Sequence, residues 1–507
     1  MVDILSKSRS LFLFLLAEII EPSEEFMDPM FSSRVSVQGT RAPRFVESAF
    51  LLAIITLSLV TGIMAFNLDV HMLLISALVL TMVLSGRCGY NLNQQIEVMG
   101  ESIKNATGAL FAFFLIGMII GSWILSGTLP ALIYYGLNVV SPQLFLPTGF
   151  LLCCVVTFAT GTAWGTASTV GLALTGMGMG LGVPLPVIAG MIVSGGIFGV
   201  KMSPISDLTI LSSATVGADP KAHLKAVNKV NIPVLLISIA AYYFIGCHFS
   251  ASQEGGTDRI ALIQSTLSQT FDLNLLVLSP IIITLGLTFT RMPSQLAMFL
   301  GVLMAGIMAV IFQHSNLSDV FSALNYGYQQ SSGVELVDSL LVRGGIQSMM
   351  WTFSLTIIAL CLGGLLERIG FLGVLLKHLL VRVKSDFALI FTTLMSCLLG
   401  NAATSEVYLS VILNGSLYKN TYKEREFKPE MLSRLLEEGS LPTGFLLPWT
   451  TAGAFMTATL GVSPLDYAPY AFYVWLTPLV SLLLVSMGRT LIKYHEGEAF
   501  PKTQQAS

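Results

Sequence analysis

One segment of this chain occurs twice, 244 positions apart, and both copies interrupt sequence that would otherwise read as a membrane-spanning helix. The first copy is PISDLTILSSATVGADP, Pro204 to Pro220; the second is PWTTAGAFMTATLGVSP, Pro448 to Pro464. Pro204, Ala214, Thr215, Gly217 and Pro220 return as Pro448, Ala458, Thr459, Gly461 and Pro464. The register continues upstream, where Ala159, Thr160, Gly171 and Gly195 return as Ala403, Thr404, Gly415 and Gly439. Polar, Pro- and Gly-interrupted segments at matching places in two halves of an apolar chain are expected where helices break inside a bilayer. Such breaks build a binding site near the midplane.

Composition agrees with a bilayer. Hydrophobic residues make up 54% of the chain and charged residues 11%, where soluble domains carry roughly 25% charged; mean hydropathy is +0.76. Apolar runs such as 49–66, 72–84, 109–125, 232–245 and 473–485 recur, and about 20 residues cross a bilayer, fewer when helices break or flanking side chains snorkel. The runs lack the period-two alternation of a membrane barrel. Six cysteines and six histidines are scattered without metal-ligand spacing, so no cofactor and no nucleic-acid partner is expected. Walker, HExxH and Cys-cluster motifs are missing, which leaves ATP-driven transport and intramembrane metalloproteolysis unsupported.

The expected organisation is an N-terminal segment, 1–46, interfacial or disordered, with Met27 or Met30 as alternative starts. Accessory transmembrane helices follow in 47–104, then a first repeat in 105–247. Connecting helices and a polar loop (315–345) fill 248–346, a second repeat spans 347–491, and a tail closes the chain in 492–507. Lys221, Lys225 and Lys229 follow the first copy's broken segment, whereas its counterpart 465–473 has no Lys or Arg. Lys419, Lys423, Arg425, Lys428 and Arg434 have an uncharged counterpart in 175–190. Basic loops stay cytoplasmic, so basic loops at non-equivalent positions predict copies of opposite orientation. The expected fold class is an all-α polytopic membrane protein of inverted-topology repeats with broken or re-entrant helices, in ten to thirteen membrane segments.

Four places put dense polar or ionisable residues inside apolar sequence. In Thr160–Thr169, Thr160 and Thr162 supply hard oxygen donors and the glycines let carbonyls turn toward a ligand; close packing through Gly161 and Gly165 is the structural alternative. In Lys201–Thr209, Pro204 blocks helix continuation and frees carbonyls near Ser206, Asp207 and Thr209. An intramembrane carboxylate costs roughly 2.5–3.5 kcal/mol on insertion scales, which marks Asp207 as functional; a Lys201–Asp207 ion pair locking the break is the alternative. Thr404-Ser405-Glu406 forms the third place, with Glu406 either a ligand or a helix-start carboxylate complementing the dipole. Pro448-Trp449-Thr450-Thr451 forms the fourth. Glu406 is the counterpart of Thr162, and Thr451 of Asp207. Each repeat therefore gives one acid, and each acid faces a hydroxyl across the pseudo-two-fold.

Gly195–Thr209 (GGIFGVKMSPISDLT), the Thr160–Gly171 stretch and most of 404–488, including LLPWTTAGAF and LGVSPLDYAPYAF, resemble the NhaC-type sodium/proton antiporters. The resemblance covers most of both repeats and keeps its order along the chain. Family members carry an Asp where this chain has Val200, SDTTN where it has Ser206–Ile210, PWNT where it has Pro448–Thr451, and a Gln where it has Val407. The two core acids remain, while several neutral oxygen donors are lost.

The resemblance implies a multi-pass secondary transporter of the inner (plasma) membrane that exchanges sodium, or another monovalent cation, for protons. Its other branch exchanges organic acids such as malate and lactate. Asp207 and Glu406 would be sodium ligands, Lys201 a further ion- or substrate-binding group, and the partners small ions or small organic anions, with a homodimer allowed. A carboxylate in low dielectric disfavours its charged form, so a bound cation and a proton compete for it. Helix N-termini at the breaks would instead favour an anion.

Overall fold

The computed structural model describes residues 40–494 except 67, 140, 252–255, 289, 291 and 382. The expectation for the N-terminal segment falls mostly on 1–39, outside the described residues. Helices α1 (Phe45–Met64), α2 (Val70–Arg87), α3 (Leu92–Asn105), α4 (Thr107–Leu125) and α5 (Thr128–Val139) open the chain. The first set of broken helices is α6 (Pro142–Thr160), α7 (Ala163–Thr166), α8 (Leu172–Gly180), α9 (Leu185–Met202), α10 (Asp207–Val216) and α11 (Pro220–Ala251). Then come α12 (Gly256–Thr270), α13 (Ser279–Thr288), α14 (Ser294–Phe312), α15 (Leu317–Tyr326) and α16 (Glu335–Leu341). The last set is α17 (Met350–Arg368), α18 (Phe371–Val381), α19 (Asp386–Thr404), α20 (Val407–Glu424), α21 (Pro429–Gly444), α22 (Thr451–Leu460), α23 (Pro464–Tyr467) and α24 (Phe472–Ser486). Among the described residues eight helices are long and apolar enough to cross a bilayer, and eleven spans result if each of three bent pairs counts as one.

The 244-residue register is written into the backbone. Gly161 and Ser405 both take the left-handed conformation that ends a helix, at φ 75° and 60°. Thr162 and Glu406 then occupy the N-cap of the next helix. Ser206 and Thr450 are N-caps at the second pair of breaks, and Gly217 and Gly461 close the short helices that follow, at φ 79° and 78°. Gly182 and Glu426 turn the chain at φ 74° and 61°. A left-handed residue is costly unless it is glycine, so Ser405 and Glu426 hold conformations that the other copy gives to glycine.

The described residues fall into two compact units, one from within 1–102 and 361–382 and one from within 103–360 and 383–507. In the first, α1 packs on α2 and α18. Arg41 clamps Glu47 through both carboxylate oxygens (2.8 and 2.6 Å), and Asp69 caps α2 by accepting from the His71 amide at 2.8 Å. In the second, α6 lies against α9 and α19 against α21. A Cβ added at Gly195 would fall 2.5 Å from the Cys153 Cβ, and one at Gly439 would fall 2.6 Å from the Cys397 Cβ. These are the same contact in both copies, so the small-residue seam runs through Gly195 and Gly439 rather than Gly161 and Gly165.

Two expectations are corrected. The polar stretch 315–345 holds helices α15 and α16; Asn316 and Asp319 exchange backbone-to-side-chain bonds of 2.9 and 3.1 Å that start α15. Arg434, expected in a basic loop, is fully buried on α21, where Glu438 one turn on (3.4 Å) and the Thr490 carbonyl (3.2 Å) balance it. The rest of the charge pattern has a spatial counterpart. Lys419 donates to the Thr215 carbonyl at 3.5 Å, bringing the second copy's basic segment to the end of α10, just before Lys221. The uncharged stretches also meet, with Gly190 of α9 packed on Tyr470.

Candidate functional site

The four breaks touch one another in series. Gly161 packs against Ile205, joining the α6–α7 break to the α9–α10 break. Tyr408, in the first turn of α20, donates its hydroxyl to Asp207 Oδ2 at 2.7 Å and joins the second break to the third. Thr451 donates its amide to the Ser405 carbonyl (2.9 Å) and its hydroxyl to Glu406 Oε2 (2.6 Å), joining the third to the fourth. Across these helices Trp164, two residues into α7, packs on Phe455 of α22 with ring centroids 4.0 Å apart, and Phe113 of α4 backs both rings.

Local sequence explains the tips. Pro204 and Ser203 stop α9, and Ser206 restarts the chain as α10, with Asp207 in its first turn and Oδ1 accepting from Leu208 N at 2.9 Å. Thr404 bridges its break by donating to Gly400 O (2.8 Å) and to Glu406 O (3.1 Å). Thr450 caps α22 by accepting from Gly453 N at 3.1 Å and anchors on Leu447 O at 2.8 Å and on Gly444 O. Thr162 caps α7 by accepting from Gly165 N at 3.4 Å. Positive helix ends thus face both carboxylates.

Asp207 is exposed and Glu406 half-buried. Thr160 Oγ1, Ser206 Oγ and Ser405 Oγ are enclosed at these breaks with no hydrogen-bond partner. Buried hydroxyls are ordinarily satisfied, and unfilled oxygens beside two carboxylates match the donor set of a small hard cation. Among the described residues no group of three or more His, Cys, Asp or Glu side chains is arranged to hold a metal.

Lys201 and Thr209 lie elsewhere. Thr209 donates to Glu437 Oε1 at 2.8 Å. Lys201 is fully buried near Glu438, Glu437 and Arg434, 5.9 Å from the centre of the Tyr473 ring. The alternative of a Lys201–Asp207 ion pair is not formed; Asp207 takes Tyr408 instead. Tyr408, His223, Glu437 and Glu438 were not singled out from sequence. The signal for the last two was present in the adjacent acids of LLEEGS and in Arg434 four residues before Glu438. It was obscured because the stretch follows a run of basic residues and reads as loop.

Apolar spans, paired broken helices and one carboxylate per repeat at the breaks define a multi-pass membrane protein built as a secondary transporter. Comparison with known proteins gives the family. The model of the Na+/H+ antiporter family matches residues 41–228 and 222–489, and the chain belongs to that family of transporters. It is 33% identical over 442 residues to the Na+/H+ antiporter NhaC of Alkalihalophilus pseudofirmus, covering 86% of this chain and 94% of that protein. It is 31% identical to the malate-2H+/Na+-lactate antiporter of Bacillus subtilis, covering 90% and 96%. It is 34% identical to the arginine/ornithine antiporter ArcD of Halobacterium salinarum, covering 89% and 93%.

Proposed function

We propose that this protein exchanges sodium, or another monovalent cation, for protons across the plasma membrane by alternating access. The observation that carries this is one acid from each repeat at neighbouring helix breaks, with Asp207 held by Tyr408, two residues after Glu406, and Glu406 held by Thr451. Two carboxylates with one monovalent cation leave the site at net −1, and without the cation they repel each other. Like charges in a shared site favour protonation of one partner, so cation and proton exclude one another without any covalent step. Thr160, Ser206 and Ser405 offer the neutral oxygens that complete a cation shell, and Thr451 holds Glu406 in place. Family membership supports the cation assignment.

A second reading is sodium- or proton-coupled organic-acid exchange, favoured by the helix N-termini at the breaks and by the name of the Bacillus subtilis malate/lactate relative. An organic anion entering beside Asp207 and Glu406 meets like charge, so it would need a cation to accompany it. Lys201, enclosed beside two glutamates, is not the group that would neutralise it at the tips. The test is a substrate screen in proteoliposomes with internal pH as the readout. Sodium, lithium, potassium, malate, lactate and arginine gradients are imposed in turn. The proposal expects a sodium gradient alone to move protons. Counterflow of an organic acid, with no proton movement on sodium alone, overturns it in favour of the second reading.

A further inference from the structure

Beneath α10 lies a second ionic site, closed off where the tips are open. Lys201, His223, Arg434, Glu437 and Glu438 are all fully buried. Glu437 has one partner on each oxygen, Thr209 (2.8 Å) and His223 Nε2 (3.1 Å), while His223 Nδ1 meets Ser433 Oγ. Glu438 accepts from Ser481 at 2.5 Å and pairs with Arg434 Nε at 3.4 Å. Lys201 Nζ has no hydrogen-bond partner, and Glu438 Oε1 has only its ion pair with Arg434. An ammonium inside a membrane protein with its donors unfilled is costly, and such groups mark ion pathways and proton relays.

The groups around Lys201 come from every side. Helix α21 brings Arg434, Glu437 and Glu438 and α24 brings Tyr473; His223 of α11 joins through Glu437, and Cys154 of α6 lies near Tyr473. Helix α10 turns Asp207 away toward Tyr408. The two cations Lys201 and Arg434 stand against the two glutamates, so loss of a proton from Lys201 lowers the charge of the network by one. The cation-binding tips change by one charge in the opposite sense on loading.

We propose that Lys201 carries an exchanged proton, with Glu437 and Glu438 as its counter-charges, in a site separate from Asp207 and Glu406. This rests on the cation/proton exchange proposed above and names where one proton is held. The amine of Lys201 gives up its proton when a cation arrives at the tips and takes one back when the cation leaves. Helix α10 links the two sites, because its first turn holds Asp207 on Tyr408 and Thr209 on Glu437. A cation bound beside Asp207 adds positive charge at the start of the same helix, which disfavours the protonated form of Lys201.

The test is potentiometric titration of the purified full-length chain in unbuffered detergent micelles between pH 6 and pH 10, with and without sodium chloride. Sodium binding is counted separately with the radioactive isotope. Lys201→Met removes the amine; Lys201→Arg keeps the charge but does not release a proton in this range, so it serves if the first variant fails to fold. The expected result is that wild type takes up about one proton more than either variant, sodium or not, and that sodium moves this step to lower pH. Equal proton uptake by wild type and both variants overturns the proposal. The sodium-free titration stands by itself, so a wild type that shows the extra proton but binds no sodium contradicts the cation assignment and leaves the Lys201 proton in place.

Discussion

Asp207 keeps one carboxylate oxygen on the Tyr408 hydroxyl and the other on the Leu208 amide. Two donors hold it at the start of α10 while it stays exposed, an arrangement that fixes its direction without filling its coordination. Tyr408→Phe removes one donor and no bulk. A hydrogen bond to a charged group contributes about 1.5–3 kcal/mol, and part of that is returned by water at an exposed carboxylate. Apparent cation affinity should therefore fall by roughly five- to tenfold with the maximal rate nearly kept, as read from the sodium dependence of proton flux. An unchanged affinity would show that Tyr408 only packs. Asp207 and Glu406 were legible in the sequence because a carboxylate inside an apolar run is conspicuous. Tyr408 was not, since an aromatic residue in such a run reads as ordinary packing. His223 and Glu437 were hidden for another reason: their partnership joins residues 214 positions apart, and no local pattern reports it.

At the level of elements, the repeat was legible to the residue because the backbone demands that recur are chemically specific. Positions that must turn left-handed, cap a helix or lie against a neighbouring helix take few residue types, and these kept the 244 spacing. The cut between units was not legible, because α17 reads as one uninterrupted span while its residues divide between the two units. The close approaches at Gly195 and Gly439 give a paired test. A valine at either position meets a Cys Cβ at about 2.5 Å, and overpacking of this kind typically costs about 1–3 kcal/mol. Gly195→Val and Gly439→Val should each lower the thermal unfolding temperature in detergent by a similar amount, since the contact is the same in both copies. A large loss for one and none for the other would mean that the two seams are not equivalent.

For the whole molecule, the displaced basic segments set the orientation. Lys419 reaches Thr215, so the lysines of both copies gather at one end of the larger unit, as an inverted repeat requires. Single cysteines replacing Lys225 and Lys423 should both react with a membrane-impermeant thiol reagent from the cytoplasmic side only, and those replacing Gly180 and Asp466 from the opposite side only. Labelling of 225 and 423 from opposite sides would remove the inversion. The central claim is that one acid from each repeat forms the exchanging site, and the most direct measurement is sodium-driven proton movement in proteoliposomes made with wild type, Asp207→Asn and Glu406→Gln. Both substitutions keep shape and lose the charge. The account predicts robust alkalinisation or acidification for wild type, according to the direction of the sodium gradient, and none above protein-free vesicles for either variant, with both variants monodisperse and inserted. Wild-type flux in either variant would contradict it.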